Sequence, residues 1–409
     1  MKTPAFSLFL VLTNSINICR MFDPKSRAWI VPSLCLISLL VSLEVDGSPA
    51  PMILLESAVA KGAVCLDGSP PAYHFLPGSG SGVNSWLVFM EGGGWCRNVT
   101  ECVERTGNFR GSSKFMKELS FSGILGDNQK TNPDFYNWNR IKIRYCDGSS
   151  FTGDVEAVDP ATNLHYRGAR VWHAIIDDLL AKGMNKAENV DRTCEGGLAS
   201  ILHCDDFRSL LPSSANVKCF SDAGYFIDAK DISGADSVKS LYTDVVNLHG
   251  STKNLPSSCN SMETPSRCFF PQYVMPTMST PLFILNSAYD SWQIMNILVP
   301  SSADPGQAWA ECKLDIKKCS SSQLQTLQGF RSQFLQALPT SNSTGMFIIS
   351  CHTHCQSGGR PTWQDVDSPM IENTTIAKAV GDWYNDRSAV RKIDCEYPCN
   401  SSCPNITNE

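Results

Sequence analysis

Short runs in which every position is apolar alternate with longer stretches in which apolar residues recur every three or four places, as expected of strands buried on both faces and helices laid against them. Trp86-Leu87-Val88-Phe89-Met90 is one such run, and it stops at Glu91-Gly92-Gly93-Gly94-Trp95. A central strand running into a glycine turn is expected there. Arg140 to Tyr145 alternates through Ile141, Ile143 and Tyr145, which predicts a strand with one wetter face. Between Arg167 and Lys182, the residues Trp172, Ile175, Ile176, Leu179 and Leu180 fall on one stripe, so a helix packed on the sheet is expected, ended by Gly183. The pattern further predicts a helix within Gly196 to Leu211 and strands at Val217 to Phe220 and Pro281 to Leu285, the second entering Asn286-Ser287-Ala288-Tyr289-Asp290. Leu327, Phe330, Phe334 and Leu338 mark another helix, and a last strand, Met346 to Ile349, leads into Ser350-Cys351-His352-Thr353-His354. This is an α/β pattern, a doubly wound and mostly parallel sheet. The loop-rich stretch from Asn247 to Thr280, with Cys259 and Cys268, reads as an insertion over one end of that sheet.

The first 50 residues do not fit the pattern. Two apolar runs, Ala5 to Leu12 and Ala28 to Leu43, resemble export signals, with Lys25 and Arg27 just ahead of the second. At about 16 residues the second run falls between a signal segment and a full membrane span, and Pro32 weakens the spanning reading. Cleavage near Gly47 or Ala50 is expected, ahead of a retained anchor, and no later stretch is long and apolar enough to cross a bilayer. The organisation expected is a leader over 1–50, one α/β domain over 51–390 and a Cys-rich tail over 391–409.

Composition narrows the setting. The 409 residues carry 34 Lys and Arg against 40 Asp and Glu, a net charge of −6, so no global basic excess exists to neutralise nucleic acid phosphates. The charged fraction of 18% is low, and five Asn-x-Ser/Thr sequons, at Asn98, Asn342, Asn373, Asn400 and Asn405, offer glycans as surface cover. Of the 18 Cys, Cys19 and Cys35 lie in the leader, and the 16 that remain are an even number. A glycosylated, disulfide-bonded protein of the secretory route is expected. Cys395, Cys399 and Cys403 have spacing that suits zinc, but in an oxidising compartment disulfides are the expected outcome and no metal or cofactor is predicted.

Chemistry is expected where strands end, because in doubly wound sheets their carboxyl ends share one crevice. A glycine run after a strand lets amide N–H groups approach a developing oxyanion, although a tight turn explains it as well. Asp290 could orient a histidine or simply cap the following helix. His354, between Cys351 and Cys355, is the candidate proton shuttle, with His352 as its competitor.

At this point the residues carry a resemblance. Glu91-Gly92-Gly93-Gly94-Trp95-Cys96, Arg144-Tyr145-Cys146-Asp147-Gly148, Gly196-Gly197-Leu198, His203-Cys204-Asp205, Asp222-Ala223-Gly224, Asn286 to Trp292 and Ser350-Cys351 to Gln356 are similar to segments of the plant pectin acetylesterases, relatives of the animal carboxylesterase Notum. It runs from about Ser57 to Cys403. The resemblance implies an α/β-hydrolase-like fold with disulfide-bonded loop insertions and a nucleophile-Asp-His mechanism. It further implies a secreted, extracellular ester hydrolase acting on acetylated pectic polysaccharide in the cell wall, with no nucleic acid partner, no membrane contact once the leader is gone, and a monomer. Carried over position by position, the acid is Asp290, the base His354, and the oxyanion-hole amides those of Gly93, Gly94 and the residue after the nucleophile, Glu195.

The nucleophile is where the chain departs. The family's elbow resembles Gly-Cys-Ser-Ala-Gly-Gly, whereas this chain has Asn189-Val190-Asp191-Arg192-Thr193-Cys194-Glu195-Gly196-Gly197, without Ser and about two residues short. Aligned without a gap, Cys194 takes the nucleophile position; aligned with one, Cys194 matches the Cys before it and the nucleophile is missing. Parity favours the gap, because a free Cys194 would leave 15 others. Asp191 and Arg192, in a strand that should be buried on both faces, would each need good partners. Two functions therefore stand side by side: an acetylesterase with an impaired elbow, and a non-catalytic wall polysaccharide-binding relative.

Overall fold

The computed structural model describes residues 47–194, 197–341 and 343–403, without the side chains of Thr193 and Cys194. The chain divides into the units Met1–Asp46 and Gly47–Glu409; of the leader expected over 1–50, residues 1–46 lie outside the described residues and 47–50 belong to the second unit. Among the described residues no helix is long and apolar enough to cross a membrane.

The main sheet has nine strands: β1 Met52–Leu54, β2 Ala72–Leu76, β3 Ser85–Met90, β4 Asn139–Ile143, β5 Asn189–Cys194, β6 Asn216–Asp222, β7 Leu282–Ser287, β8 Gly345–Ile349 and β9 Arg391–Ile393. Their spatial order is β9-β8-β7-β6-β5-β3-β4-β2-β1. From β9 to β4 every pairing is parallel, and β2 and β1 join antiparallel at one edge. The strands read as uniformly apolar runs are the inner ones. Trp86, Val88 and Met90 of β3 pack on one face against Val171, Trp172, Ile175, Ile176 and Leu179 of the helix Gly168–Ala181, while Leu87 and Phe89 face the other core with Phe220, Phe283 and Phe347. Each such side chain contributes roughly 1.5–3 kcal/mol by leaving water, and alternation along β3 fixes its register.

Helix α1 spans Val99–Thr106 and α2 spans Gly168–Ala181. The helix expected within 196–211 is two, α3 Leu198–Leu202 and α4 Cys204–Ser209. It breaks at His203, whose Nε2 bonds the Ser150 carbonyl at 3.1 Å, beside a disulfide from Cys204 to Cys219 of β6. Helices α5 Ser237–His249, α6 Ser321–Ala337 and α7 Ile376–Tyr384 complete the layers. The segment read as an insertion holds short helical turns around the Cys259–Cys268 disulfide and packs Phe269 and Phe270 onto Tyr242.

Among the described residues, seven disulfides join fourteen of the sixteen cysteines beyond the leader. The tail cysteines are spent this way, Cys395 with Cys399 and Cys403 with Cys351, so the spacing that suggested zinc is a pair of covalent ties.

Strand β5 is held by its main chain on both sides, with Asp191 beside Leu87 and Lys218. Its two charged residues meet different fates. Arg192 is fully buried but served: its guanidinium lies 4.2 Å from the centre of the Trp172 ring and donates to the Ala199 carbonyl at 3.1 Å. Asp191 is also fully buried, and neither carboxylate oxygen has a hydrogen-bond partner. Neighbouring Lys218 turns away to the Trp383 and Tyr384 carbonyls at 3.1 and 2.9 Å, and to Asp386. Burial pushes Asp191 up to about 8, with Lys218 opposing.

An acid whose folded pKa is raised carries no penalty below its unfolded value near 4 and the full penalty above about 8, so stability falls as pH rises between them. Replacing Asp191 by Val removes the charge at similar volume. Thermal unfolding followed by calorimetry is expected to show Asp191→Val several degrees more stable than the parent above about pH 8, with the gain shrinking toward pH 4; a pH-independent difference contradicts the assignment.

Candidate active site

Strands β7 and β8 end level with each other, Ser287 pairing with Ile349, and their loops are stitched beyond the sheet. The Ala288 amide donates to the Ile349 carbonyl at 2.8 Å, the Ser287 hydroxyl to the Cys351 carbonyl, and the Ser291 amide to the Thr353 carbonyl at 3.1 Å. This brings Asp290 and His354 together, with Nδ1 of the imidazole 2.8 Å from Oδ2 of the carboxylate. Asp290 is buried and His354 partly exposed, its side chain 24% accessible. The other oxygen of Asp290 accepts the Gln293 amide at 2.8 Å and caps the short helix Ser291–Gln293. One carboxylate therefore performs both roles that the sequence left open.

His352 does not compete. Its Nε2 is buried without a hydrogen-bond partner, and burial lowers its pKa against the opposing charges of Asp290 and Asp315, which keeps it neutral. His354 instead has ring neighbours, Phe226 at 6.2 Å and Trp292 at 6.4 Å between centroids. Those two rings also contact Trp95, each at 5.4 Å, and Trp95 directly follows the glycine run.

The loop after β3 is organised by its carbonyls. Arg105 of α1 donates from Nη2 to the carbonyls of Gly93 and Trp95, both at 2.9 Å, and the Tyr145 hydroxyl donates to the Gly94 carbonyl at 2.8 Å. Because a peptide plane sets N–H opposite C=O, drawing the Gly93 carbonyl to Arg105 aims the Gly94 amide the other way. Gly94 has φ of +66°, a backbone open to glycine at little strain. Among the described residues the amides of Gly93 and Gly94 donate no hydrogen bond, which leaves them available for an oxyanion. The Cys96–Cys102 disulfide closes the loop onto α1.

Cys194 ends β5 opposite Met90, so the main chain of the elbow position lies at the edge from which the glycine loop departs. The Cys194 side chain and all of Glu195, named as nucleophile and third amide donor, are outside the described residues. Downstream, a Cβ on Gly197 would lie 2.7 Å from the Gly224 main chain, so the strand-turn-helix passage into α3 requires glycine there.

Two buried carboxylates to which sequence reasoning gave no role hold the histidine loop. Asp222, ending β6, accepts the amides of Gln356 and Ser357 at 2.9 and 2.7 Å and the Ser357 hydroxyl at 2.7 Å. Asp394, just past β9, accepts the Ser350 amide at 3.1 Å and its hydroxyl at 2.8 Å, and the Cys351–Cys403 disulfide fastens the same loop. Arg105 was missed likewise. All three act on main-chain atoms, and only the strand-end position of Asp222 gave a signal. A separate pocket of about 600 Å³, lined by His173, Asp205, Asp206 and Lys253 among others, contains none of these residues.

Of the sequons, Asn98 and Asn373 are exposed, the first capping α1 and the second in a hairpin turn. Asn400 is half-buried and its Nδ2 donates to the Met370 carbonyl and to Asp394. Asn342 and Asn405 lie outside the described residues.

A doubly wound, mostly parallel sheet with an Asp–His pair and a glycine loop at its strand ends makes this an α/β-hydrolase-like protein. In agreement, the structure of the Wnt deacylase Notum from Drosophila superposes with a TM-score of 0.73 at 22% identity, over 87% of this chain and all of that one. The chain belongs to the pectinacetylesterase family, whose model matches residues 43–404. Similar proteins include pectin acetylesterase 7 of Arabidopsis thaliana, 59% identical over 92% of this chain and 98% of its own length, and pectin acetylesterase 11 of the same plant, 56% identical over 93% and 99%. A more distant match is the mouse palmitoleoyl-protein carboxylesterase NOTUM, 25% identical over 87% of this chain and 72% of its own.

The Nδ1–H proton shared by His354 and Asp290 is expected to give a low-field proton NMR signal at neutral pH. His354→Gln and Asp290→Asn should each abolish it and His352→Gln should not; loss in the His352 variant alone would exchange the two assignments.

Proposed function

We propose that the chain is built as a secreted carboxylic-ester hydrolase that removes acetyl groups from pectin in the cell wall, and that its altered elbow slows this chemistry. The observation that carries the reading is the 2.8 Å contact between His354 and a buried Asp290, packed through Trp292 and Phe226 against the tryptophan of the glycine loop. With a hydroxyl at the elbow, Nε2 of His354 accepts the nucleophile's proton as oxygen attacks the acetyl carbonyl. Asp290 stabilises the imidazolium, and the amides of Gly93 and Gly94 receive the oxyanion, each donor worth roughly 3–4 kcal/mol in the transition state. Collapse returns the proton to the departing sugar hydroxyl. Water then cleaves the acetyl-enzyme by the same steps.

The second reading is a non-catalytic polysaccharide-binding relative, favoured by one fact: no Ser lies between Asn189 and Gly197. Cys194 as a thiol nucleophile remains secondary. Cys194 and Cys355 are the two cysteines outside the seven bonds described above, and a bond between them would complete an even count. Secretion is supported by the disulfides and the apolar leader sequence, and Asn98 and Asn373 are the sequons whose exposure suits a glycan.

Acetate release from acetylated pectin decides between the two. The purified chain is expected to be slower, by a factor on the order of 10³ or more, than a version with Ser restored at the elbow. Equal rates would refute a defective nucleophile, and inactivity of both would favour the binding role.

A further inference from the structure

A binding position can be added to the mouth just described, an inference that rests on the pectin reading of that mouth. Beyond α1 the chain makes a tight turn, in which the Asn108 side chain accepts the Arg110 amide at 2.8 Å and the amides of Gly111 and Ser112 return to the Asn108 carbonyl. The turn is anchored by the Asp67 amide on the Gly111 carbonyl. It displays Phe109, 37% exposed, and Arg110, also exposed. Two guanidiniums attend the Phe109 ring, Arg110 at 5.5 Å and Arg144 at 5.8 Å. They differ in charge balance. Arg144 is paired to Glu91 at 2.8 Å and bonds the Lys117 carbonyl at 3.2 Å. Among the described residues neither the Arg110 side chain nor exposed Lys117 forms an ion pair or a side-chain hydrogen bond, although Glu104 and Glu118 are exposed in the same stretch.

Arg110 is not placed at random on the surface. Its Cδ lies 3.6 Å from where a side chain on Gly93 would begin, so the free cation borders the glycine loop to which the proposed reaction assigns the oxyanion. A chain of net charge −6 that is to hold a polyanion needs a local reversal of sign at that point. We infer that Phe109 and Arg110, with Lys117 behind them, form a subsite for a galacturonate unit of the pectic backbone. The guanidinium takes the uronate carboxylate through paired N–H donors, and the exposed aromatic ring covers the C–H face of the pyranose. The acetylated sugar is thereby held beside the glycine loop by a neighbour's carboxylate, and the preferred substrate is a polymer whose carboxyl groups are free.

Binding needs no turnover, so the subsite is tested on the chain as written. A fully de-esterified oligogalacturonide, titrated calorimetrically at low salt, is expected to bind saturably, while a neutral galacto-oligosaccharide of equal length binds far more weakly. Arg110→Gln should weaken oligogalacturonide binding about tenfold, Phe109→Ala should weaken it several-fold, and Arg110→Lys should retain more than the glutamine variant. Unchanged affinity in Arg110→Gln, equal binding of the neutral oligomer, or no saturable binding overturns the proposal. Arg110 is on the surface, and thermal melting checks that its variants fold. Should binding follow these expectations while the Ser-restored chain releases no acetate, the subsite stands and the esterase reading falls. Acetate release together with Arg110-independent binding leaves the esterase and removes the subsite.

Discussion

The hydrogen bond between Asp290 and His354 is the interaction on which the rest of the site depends, and it is prepared well before the two side chains meet. Parallel pairing of β7 and β8 brings both strands to the same height, and three hydrogen bonds beyond the sheet then hold one loop to the other. Asp290 is additionally fixed by its cap to Gln293. Little freedom is left for the imidazole to lose, so the charge-assisted contact contributes nearly its full strength. The glycine loop is set in the same manner by Arg105 and Tyr145. The aromatic group of Trp95, Phe226 and Trp292 keeps the two halves in fixed relation.

What can be read in the sequence follows from how each residue works. Strands covered on both faces write their burial into every position, as β3 does, and their bounds are legible nearly to the residue. The antiparallel strands β1 and β2 carry no such run: β1 is partly wet, and β2 buries a histidine among its apolar residues. At the site, His354 and the glycines stand out because their chemistry is tied to residue type. Asp222, Asp394 and Arg105 do not, because they hold main-chain atoms, and any position in a loop offers those.

The elbow strand separates two properties that usually travel together. Its main chain is paired on both sides and its arginine is accommodated by an aromatic ring and a carbonyl, so β5 keeps its place in the sheet despite a sequence poorly suited to a core. Asp191 alone is left without partners. The scaffold tolerates this because its stability is distributed over two apolar layers, whereas catalysis rests on one atom at a strand end.

The clasp formed by Asp394 and Cys403 has a temporal meaning. A ribosome delivers the glycine loop, both helical layers and the histidine itself before it delivers the residues that fasten Ser350 and Cys351. The loop that carries His354 is thus fastened by residues synthesised after it, and its ties to Asp394 and Cys403 wait until the end of the chain is made.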